Sequence, residues 1–347
     1  MKLIENKVEI KQKQKEVQLF ILKSEKCEVK ITNLGGIITS IKTPDKKGNL
    51  DNIALGFENI PNYMDDFYIS NNPYFGAIIG RFANRIAEGR FNLNDTEYTL
   101  AINNGPNHLH GGNEGFDKKI WEARPFENKD SVGVELSYLS PAMEEGYPGN
   151  LQLRVTYRLT DADELSIDYE AETDQTTIIN LTNHTYLNLN PESKNILDHE
   201  LKLYAEKFTE AVDLIPTGSF AHVKDTPFDF TSTKKLGQDI ASLVDGYDLN
   251  YILDNEKGAL KKAAELSENT TGRKVELYTT QPGVQLYTGY YIPTFSFTGE
   301  KKYGRYTGVA LEPQHYPDSP NKKSFPSVVL KPGEKYTHQT VYKFDLM

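Results

Sequence analysis

Glu312 and His184 are the residues whose types and surroundings best suit proton transfer. Glu312 ends the apolar run 308–311 and is followed by a polar loop stiffened by three prolines. A carboxylate at the end of a buried strand loses part of its water, so its pKa rises and it becomes a better base. His184 lies in an alternating segment among polar neighbours that could orient its ring. A single histidine is more often structural than catalytic, so neither residue decides a function alone.

Residues 80–91 hold a second polar cluster, with Arg81 and Arg85 spaced four apart. Taken alone, this spacing is more often a solvated surface than a binding site. The functional interpretation is that Asn84 and Arg85 donate hydrogen bonds to sugar hydroxyls. A guanidinium suits vicinal oxygens because it offers several donors in a fixed fork.

Two further clusters carry a histidine pair and a carboxylate. His108 and His110 would point the same way on an extended strand, which raises the question of a metal. No third ligand lies at a useful spacing, so we expect no metal site. Two glycines follow His110, which indicates a close backbone approach or a positive φ, as is common where a ligand packs. Asp248 lies in a Gly-Tyr-Asp-Leu-Asn segment (246–250) that on its own is typical of a turn.

Alternating apolar and polar residues dominate the segments that must position these side chains. Strand patterns recur throughout the chain, at 132–139, 151–159, 165–171, 201–204, 274–278, 284–290, 308–311 and 336–344. Only 233–244 and 258–268 are plausible helices, each about three turns long. Many short strands with few short helices predict an all-β fold, a large antiparallel β-sandwich. With no linker or repeat in the sequence, we expect a single domain over residues 1–347.

Composition narrows the class of partner. The net charge is −10, and no basic run is longer than two lysines, so neither nucleic acid nor an anionic membrane is an expected partner. Cys27 is the only cysteine, which excludes an intramolecular disulfide and a cysteine metal cluster. The N-terminus lacks the apolar stretch of a signal peptide, and no segment has the roughly 20 apolar residues that cross a bilayer. We therefore expect a cytoplasmic protein that binds a neutral small molecule.

The clusters, taken together and in order, resemble the aldose 1-epimerase (galactose mutarotase) family over nearly the whole chain. The quoted clusters include Leu-His-Gly-Gly (109–112), Asn-His-Thr-Tyr (183–186) and Leu-Glu-Pro-Gln-His-Tyr-Pro-Asp (311–318). The resemblance continues through shorter motifs at 144–149, 215–218, 227–230, 282–285, 325–327 and 330–336. Such an ordered set of motifs is highly specific.

The resemblance implies the fold, the activity and the site. The fold would be the galactose mutarotase-like supersandwich, a large β-sandwich with a sugar cleft on one curved face. Glu312 would be the general base and His184 the general acid. Five further residues would bind the sugar, and these are Asn84, Arg85, His110, Asp248 and Gln285. Family members commonly have histidine where this chain has Leu249 and phenylalanine where it has Leu187, which bears on pocket lining and sugar preference.

The implied reaction interconverts the α- and β-anomers of a free hexose such as galactose or glucose. It opens a hemiacetal and closes it on the other face, so a base and an acid suffice. Nothing is oxidised and no group is transferred, so no cofactor is expected. The partner is a small-molecule aldose, and the protein is expected to be a monomer or homodimer.

Three other functions use similar residues. A non-catalytic carbohydrate-binding β-sandwich would hold sugar without a matched acid–base pair. A sugar-phosphate epimerase would need extra Arg or Lys facing the cleft, which the net charge of −10 does not favour. A glycosidase would need two carboxylates flanking the bond, and Asp248 with Glu312 could form such a pair on sequence alone.

Overall fold

Antiparallel strands are the main regular structure of the computed structural model, which describes residues 1–8, 16–255 and 258–347. Within those residues α1 (Asp66–Ser70) is the only α-helix, and none of the described helices has the length and apolar character to cross a bilayer. Short 3-10 segments lie in the same ranges, at Ile60–Met64, Ala87–Gly89, Phe116–Lys118, Glu144–Gly146, Ile240–Ser242 and Ser319–Asn321.

The strands follow one another along the chain with turns between them. In the first half they are β1 (Lys2–Val8), β2 (Val17–Lys23), β3 (Glu28–Thr32), β4 (Ile38–Pro44), β5 (Leu50–Asn52), β6 (Ile78–Ile79), β7 (Arg85–Ile86), β8 (Arg90–Leu93), β9 (Thr96–Thr99), β10 (His108–Leu109), β11 (Glu122–Glu127), β12 (Ser131–Ser140), β13 (Leu151–Thr160) and β14 (Glu164–Thr173). In the second half they are β15 (Thr177–Ile178), β16 (Thr182–Asn183), β17 (Tyr186–Leu187), β18 (Glu200–Leu203), β19 (Lys207–Val212), β20 (Ile215–His222), β21 (Lys234–Lys235), β22 (Asp248–Ile252), β23 (Lys261–Ser267), β24 (Arg273–Thr279), β25 (Gly283–Tyr287), β26 (Val309–Gln314), β27 (Val329–Leu330) and β28 (Tyr336–Leu346).

Three sheets organise the fold. The largest has nine strands in the order β11-β12-β13-β14-β28-β24-β23-β18-β21, and a second has six in the order β17-β26-β25-β22-β19-β20. Strands β1 to β5 form a third sheet in sequence order, and the remaining strands pair two by two. The prediction of an all-β, antiparallel sandwich with few short helices is confirmed.

Side-chain alternation divides the six-stranded sheet into a core face and an open face. Val284 and Leu286 of β25 and Leu311 of β26 join one large apolar cluster, which also contains residues of the nine-stranded sheet. Gln285 lies between Val284 and Leu286, and Glu312 follows Leu311, so both polar side chains lie on the opposite face. The packing of the hydrophobic core thus determines which side chains lie on that face.

The two helices predicted from sequence are wrong. Segment 258–268 contains strand β23, which pairs with β18 on one side and β24 on the other. A register shift between Lys262 and Ala264 breaks the alternation, so Ala263 and Ala264 are both buried and the pattern imitates a helix. Segment 233–244 contains only the short strand β21 and one 3-10 turn. Pairing with neighbouring strands outweighs the helix propensity of these residues.

Candidate active site

Three neighbouring strands of the six-stranded sheet place polar side chains side by side on its open face. In the register of β22, β25 and β26, Gln285 lies directly opposite Glu312 on one side and Asn250 on the other. Asp248 lies two residues before Asn250 on β22. The Gln285 amide donates a 2.6 Å hydrogen bond from Nε2 to Oδ1 of Asp248. The sheet thereby joins two carboxylates and an amide in one polar patch.

His184 lies between the short strands β16 and β17 and faces this patch. Its backbone N–H donates to Ala77, and its carbonyl accepts from the N–H of Gly76, each over 2.9 Å. The imidazole Nε2 lies 3.5 Å from Oε2 of Glu312, and both side chains are at most 5% exposed. At this separation the two atoms do not form a hydrogen bond, and Oε2 of Glu312 has no hydrogen-bond partner among the described residues. An approach of about 0.5 Å would bring them within hydrogen-bond distance, where they could share one proton.

Burial shifts the pKa values of the pair in opposite directions. Loss of water raises the pKa of Glu312 well above its usual range, and the charge of Asp248 adds to this rise while Arg85 opposes it. Burial lowers the pKa of His184 to about 3, although its own backbone acts weakly the other way. The pKa of Asp248 is also raised by burial, against Arg85 and the Gln285 hydrogen bond. In the free site the pair therefore favours a protonated Glu312 beside a neutral His184.

His110 completes a group of three residues whose geometry resembles a metal site. Ligand atoms of His110, His184 and Glu312 all lie within 4.8 Å of one another. However, Nδ1 of His110 accepts a 3.1 Å hydrogen bond from the backbone N–H of Asn84, so Nε2 carries the proton. A metal-bound histidine has the reverse arrangement, in which the other ring nitrogen donates. The tautomer therefore suits a hydrogen bond to a hydroxyl better than a bond to a metal.

Arg85 brings a positive charge to the same cleft without a carboxylate partner on its Nε. That atom donates to Oδ1 of Asn104 over 3.1 Å, and a neutral amide does not neutralise the positive charge of the guanidinium. It lowers the pKa values of both Asp248 and Glu312. Asn84 accepts from the Arg85 backbone N–H through Oδ1, which leaves only its amide N–H groups to donate to a ligand.

The two arginines of segment 80–91 have different roles. Arg81 is buried, and its guanidinium donates to Ser140 and to the carbonyls of Pro141 and Pro148. Those bonds tie segment 80–91 to the end of β12 and the loop that follows it. The four-residue spacing in the sequence does not distinguish this structural arginine from Arg85.

The structure brings all seven sequence-predicted site residues into one connected cluster. The connections run from Asn84 to His110, His184, Glu312, Gln285 and Asp248, with Arg85 adjoining the two carboxylates. The two positions that depart from the family pattern lie elsewhere, because Leu187 is buried in the core and Leu249 packs against it. Neither leucine lines the cleft.

Sequence reasoning missed three residues that shape the site. The Tyr74 ring lies 4.7 Å from that of His110, and Tyr186 lies 4.8 Å from His184, measured between ring centroids. Asn104 holds the site arginine, as described above. Tyr186 ends the Asn-His-Thr-Tyr motif, and Asn104 lies four residues before His108, so both stand near residues that the sequence had singled out. Tyr74 stands outside every motif, and only the folded chain shows its place.

Comparisons with known proteins show the family. The family model for aldose 1-epimerase matches residues 18–343. The chain belongs to the aldose 1-epimerase family. It is an isomerase of the type that interconverts the anomers of sugars.

Individual relatives support the same family. A galactose mutarotase from Bos taurus is 44% identical over 95% of this chain and 94% of its own length. An aldose 1-epimerase from Escherichia coli (strain K12) is 34% identical, with 91% of each chain covered. Among solved structures, a galactose 1-epimerase from Lactobacillus acidophilus NCFM has a TM-score of 0.86 at 28% identity, covering 99% of both chains. The resemblance stated from sequence motifs is confirmed.

Gly111 tests how the His110 segment is packed. Its φ is +85°, and a Cβ there would overlap the carbonyl oxygen of Gly80, whereas Gly105 has φ +55° and open space around it. We expect Gly111→Ala to lower the free energy of unfolding by ~1–3 kcal/mol more than Gly105→Ala, because only the first adds steric overlap to backbone strain. Urea unfolding of both variants measures the difference. Equal losses would show that segment 80–85 does not pack closely on Gly111.

Proposed function

We propose that the protein interconverts the α- and β-anomers of free hexoses by acid–base ring opening and reclosure. The observation that carries this proposal is the buried pair formed by His184 Nε2 and Glu312 Oε2, 3.5 Å apart. A ring-opening step needs one group to remove a proton and another to supply one. The pair offers both at adjacent atoms, and burial keeps bulk water from competing.

The proposed reaction uses the one-proton form of the pair with the proton on His184. Glu312 takes the proton from the anomeric hydroxyl O1, and a carbonyl forms at C1. The C1–O5 bond breaks, and O5 takes the proton from the His184 imidazole. Rotation about C1–C2 then presents the other face of the aldehyde. As O5 attacks C1 and the ring recloses, Glu312 gives its proton to the C1 oxygen and His184 takes its proton back from O5. The pair regains its initial protonation state.

The free site favours the other one-proton form, with the proton on Glu312. The two forms differ only by proton transfer across the 3.5 Å between Oε2 and Nε2. We propose that sugar binding favours the reactive form, because the O1 hydroxyl donates to the carboxylate and so stabilises its charge. Arg85 acts in the same direction, since its charge lowers the pKa of Glu312.

The remaining residues are proposed to hold the sugar so that only C1, O1 and O5 meet the pair. His110 would donate from Nε2, and Asn84 and Arg85 would donate to ring hydroxyls. Asp248 and Gln285, linked by their 2.6 Å hydrogen bond, would bind a further hydroxyl as one unit. Fixing the reactants in this way removes much of the entropic cost of the reaction.

Galactose and glucose are the proposed substrates. The support is the relative named galactose mutarotase, which is 44% identical over nearly the full chain.

We further propose that residues 1–347 act as one domain in the cytoplasm. One apolar cluster contains residues from Phe20 to Phe344, and the single cysteine, Cys27, is buried and free.

Replacing either member of the pair tests the assignment. We expect Glu312→Gln and His184→Asn each to lower kcat by at least about 10²-fold, the contribution of one positioned proton transfer. Polarimetry of freshly dissolved α-galactose and α-glucose, corrected for the spontaneous rate, measures the change. Circular dichroism checks that the fold is kept.

Matched controls exist for both variants. His199 is a buried histidine whose Nε2 accepts from the backbone N–H of Leu189, and Glu268 accepts from the N–H groups of Thr270 and Thr271. His199→Asn and Glu268→Gln should lower stability and leave kcat of the folded protein within about threefold. Wild-type kcat in either pair variant would overturn the assignment. Sugar binding without catalysis in the wild type would favour a carbohydrate-binding module.

The pH dependence of kcat/KM should reflect the one-proton pair. Protonation of His184 in addition to Glu312 stops the reaction at low pH, and burial has lowered the His184 pKa to about 3. Loss of the last proton stops it at high pH, and burial has raised the pKa of Glu312. We therefore expect a plateau that extends across pH 6.5, the usual histidine value. A profile that falls through an apparent pKa near 6.5 would contradict this proton count.

A further inference from the structure

Among the described residues, no hydrogen bond from another residue fixes the orientation of the His184 imidazole. Within the described residues, its buried Nδ1 receives no hydrogen bond from another side chain or backbone group. Its Nε2 meets only Glu312, at 3.5 Å. Histidines that work in active sites usually have the second ring nitrogen held by a carbonyl or carboxylate. The packing of neighbouring rings must therefore orient the His184 imidazole, as hydrogen bonds do in other active sites.

Two tyrosines lie nearly parallel to this imidazole. The Tyr186 ring centroid is 4.8 Å from that of His184 with an interplanar angle of 28°, and the Tyr74 centroid is 5.9 Å away with an angle of 21°. His110 meets the same imidazole nearly edge-on at 5.3 Å. Tyr186 belongs to strand β17 and is held by an apolar core cluster. Tyr74 lies in a loop and is half-buried against the same cluster.

The backbone of Tyr74 adopts a conformation that aromatic residues rarely take, with φ +59°. Its neighbours hold it there. The Tyr74 N–H donates to Asn72 Oδ1 over 2.8 Å, and the Asn72 amide donates to Asp117 Oδ2 over 2.7 Å. Lys118 binds the same Asp117 oxygen at 3.0 Å and lies 5.8 Å above the Tyr74 ring. A strained residue held by several contacts is typical of a functional site.

We propose that Tyr74 is a positioning residue that acts through His184. Its ring keeps the imidazole turned toward Glu312 and keeps water from its face. The inference rests on the proposed acid–base function of His184. It assigns Tyr74 no contact with the sugar or with reacting atoms. Because the Tyr74 ring also lies 4.7 Å from His110, we expect a large effect on the chemical step through His184 and a small one on sugar affinity through His110.

The cavity beside Tyr74 sharpens the expected consequence of losing the ring. A space of about 240 Å³ lies there, lined partly by Tyr63, Tyr68, Asn72 and Lys118. Removal of the Tyr74 ring would join this space to the histidine site. Water would then reach His184, and the imidazole would gain room to turn. Because burial is the main cause of its low pKa, hydration should move the His184 pKa upward toward its usual value.

Three variants separate the ring, its hydroxyl and its backbone strain. We expect Tyr74→Ala and Tyr74→Gly to lower kcat roughly 10- to 100-fold, the scale expected for a misplaced catalytic group. The KM for galactose should change less than about threefold, because no sugar contact is lost. Tyr74→Phe keeps the ring and should stay near wild type. Tyr74→Gly accepts φ +59° without strain, so it should be at least as stable as Tyr74→Ala.

A spectroscopic readout and a matched control complete the experiment. NMR titration of labelled histidine should show the His184 pKa rising in Tyr74→Ala and unchanged in Tyr74→Phe, with His184→Asn assigning the signal. Phe297→Ala removes a ring of comparable size from the cluster around Phe57 and should leave both kcat and the His184 pKa unchanged.

Three results would overturn the inference. A rise in KM with unchanged kcat would make Tyr74 a sugar platform. Wild-type kcat in Tyr74→Gly with loss only in Tyr74→Ala would assign the effect to backbone strain. Unchanged kcat in both would remove any role. Failure of the proposed function would look different, since His184→Asn would then retain the wild-type rate in the same assay.

Discussion

The removal of water from a histidine and a carboxylate 3.5 Å apart is the constraint on which the site depends. In water, Glu312 would be ionised and His184 partly protonated at neutral pH, and each would hold its own proton equilibrium. Burial disfavours both charged forms, so it raises the pKa of the carboxyl group and lowers that of the imidazole. The pair consequently keeps its last proton to a higher pH than a carboxyl group in water, and takes up a second proton only at a lower pH than an imidazole in water. A single mobile proton between two adjacent atoms is what anomer interconversion requires, since one oxygen loses a proton while another gains one.

The β-sandwich makes this dry pair possible because its core and its cleft share the same strands. Leu311 and Glu312 are consecutive residues, yet one packs in the apolar core and the other lies on the opposite face of the sheet beside Gln285. The register that places Gln285 opposite Glu312 is fixed by the buried side chains of β25 and β26, and a slip of either strand by one residue would move its polar group into the core. The loops complete the site from the other side. His110 enters on a glycine segment that packs against Gly80, and His184 is held through its backbone by Gly76 and Ala77, just before β6.

Much of the fold and most of the site could be predicted from the sequence, for separate physical reasons. Alternation is a local signal, so strands such as β13 and β14 were evident, whereas the bulge beside Ala263 disguised β23 as a helix. Glu312 was recognisable as a carboxylate after an apolar run, although the prediction that the strand ends there is wrong, because β26 continues to Gln314. Its pairing with His184, 128 positions away in the chain, came only from family resemblance. Spacing could not separate buried Arg81 from Arg85. Tyr74 could not be found from the sequence, because its proposed role depends on its position beside His184 in the folded chain and on a positive φ that its residue type does not predict.

Isotope-edited infrared difference spectroscopy of Glu312 tests the central claim most directly, because it reports the protonation of that carboxyl group itself. Subtraction of the Glu312→Gln spectrum isolates its band in the sugar-free protein. Because burial raises the pKa of Glu312, its protonated carboxyl C=O band should persist well above pH 4.5, the ordinary value, before it gives way to a carboxylate band. Addition of galactose should weaken the protonated band as the proton moves to His184. A Glu312 band that titrates at or below pH 4.5 without sugar would contradict a buried pair that stores one proton on its carboxyl group.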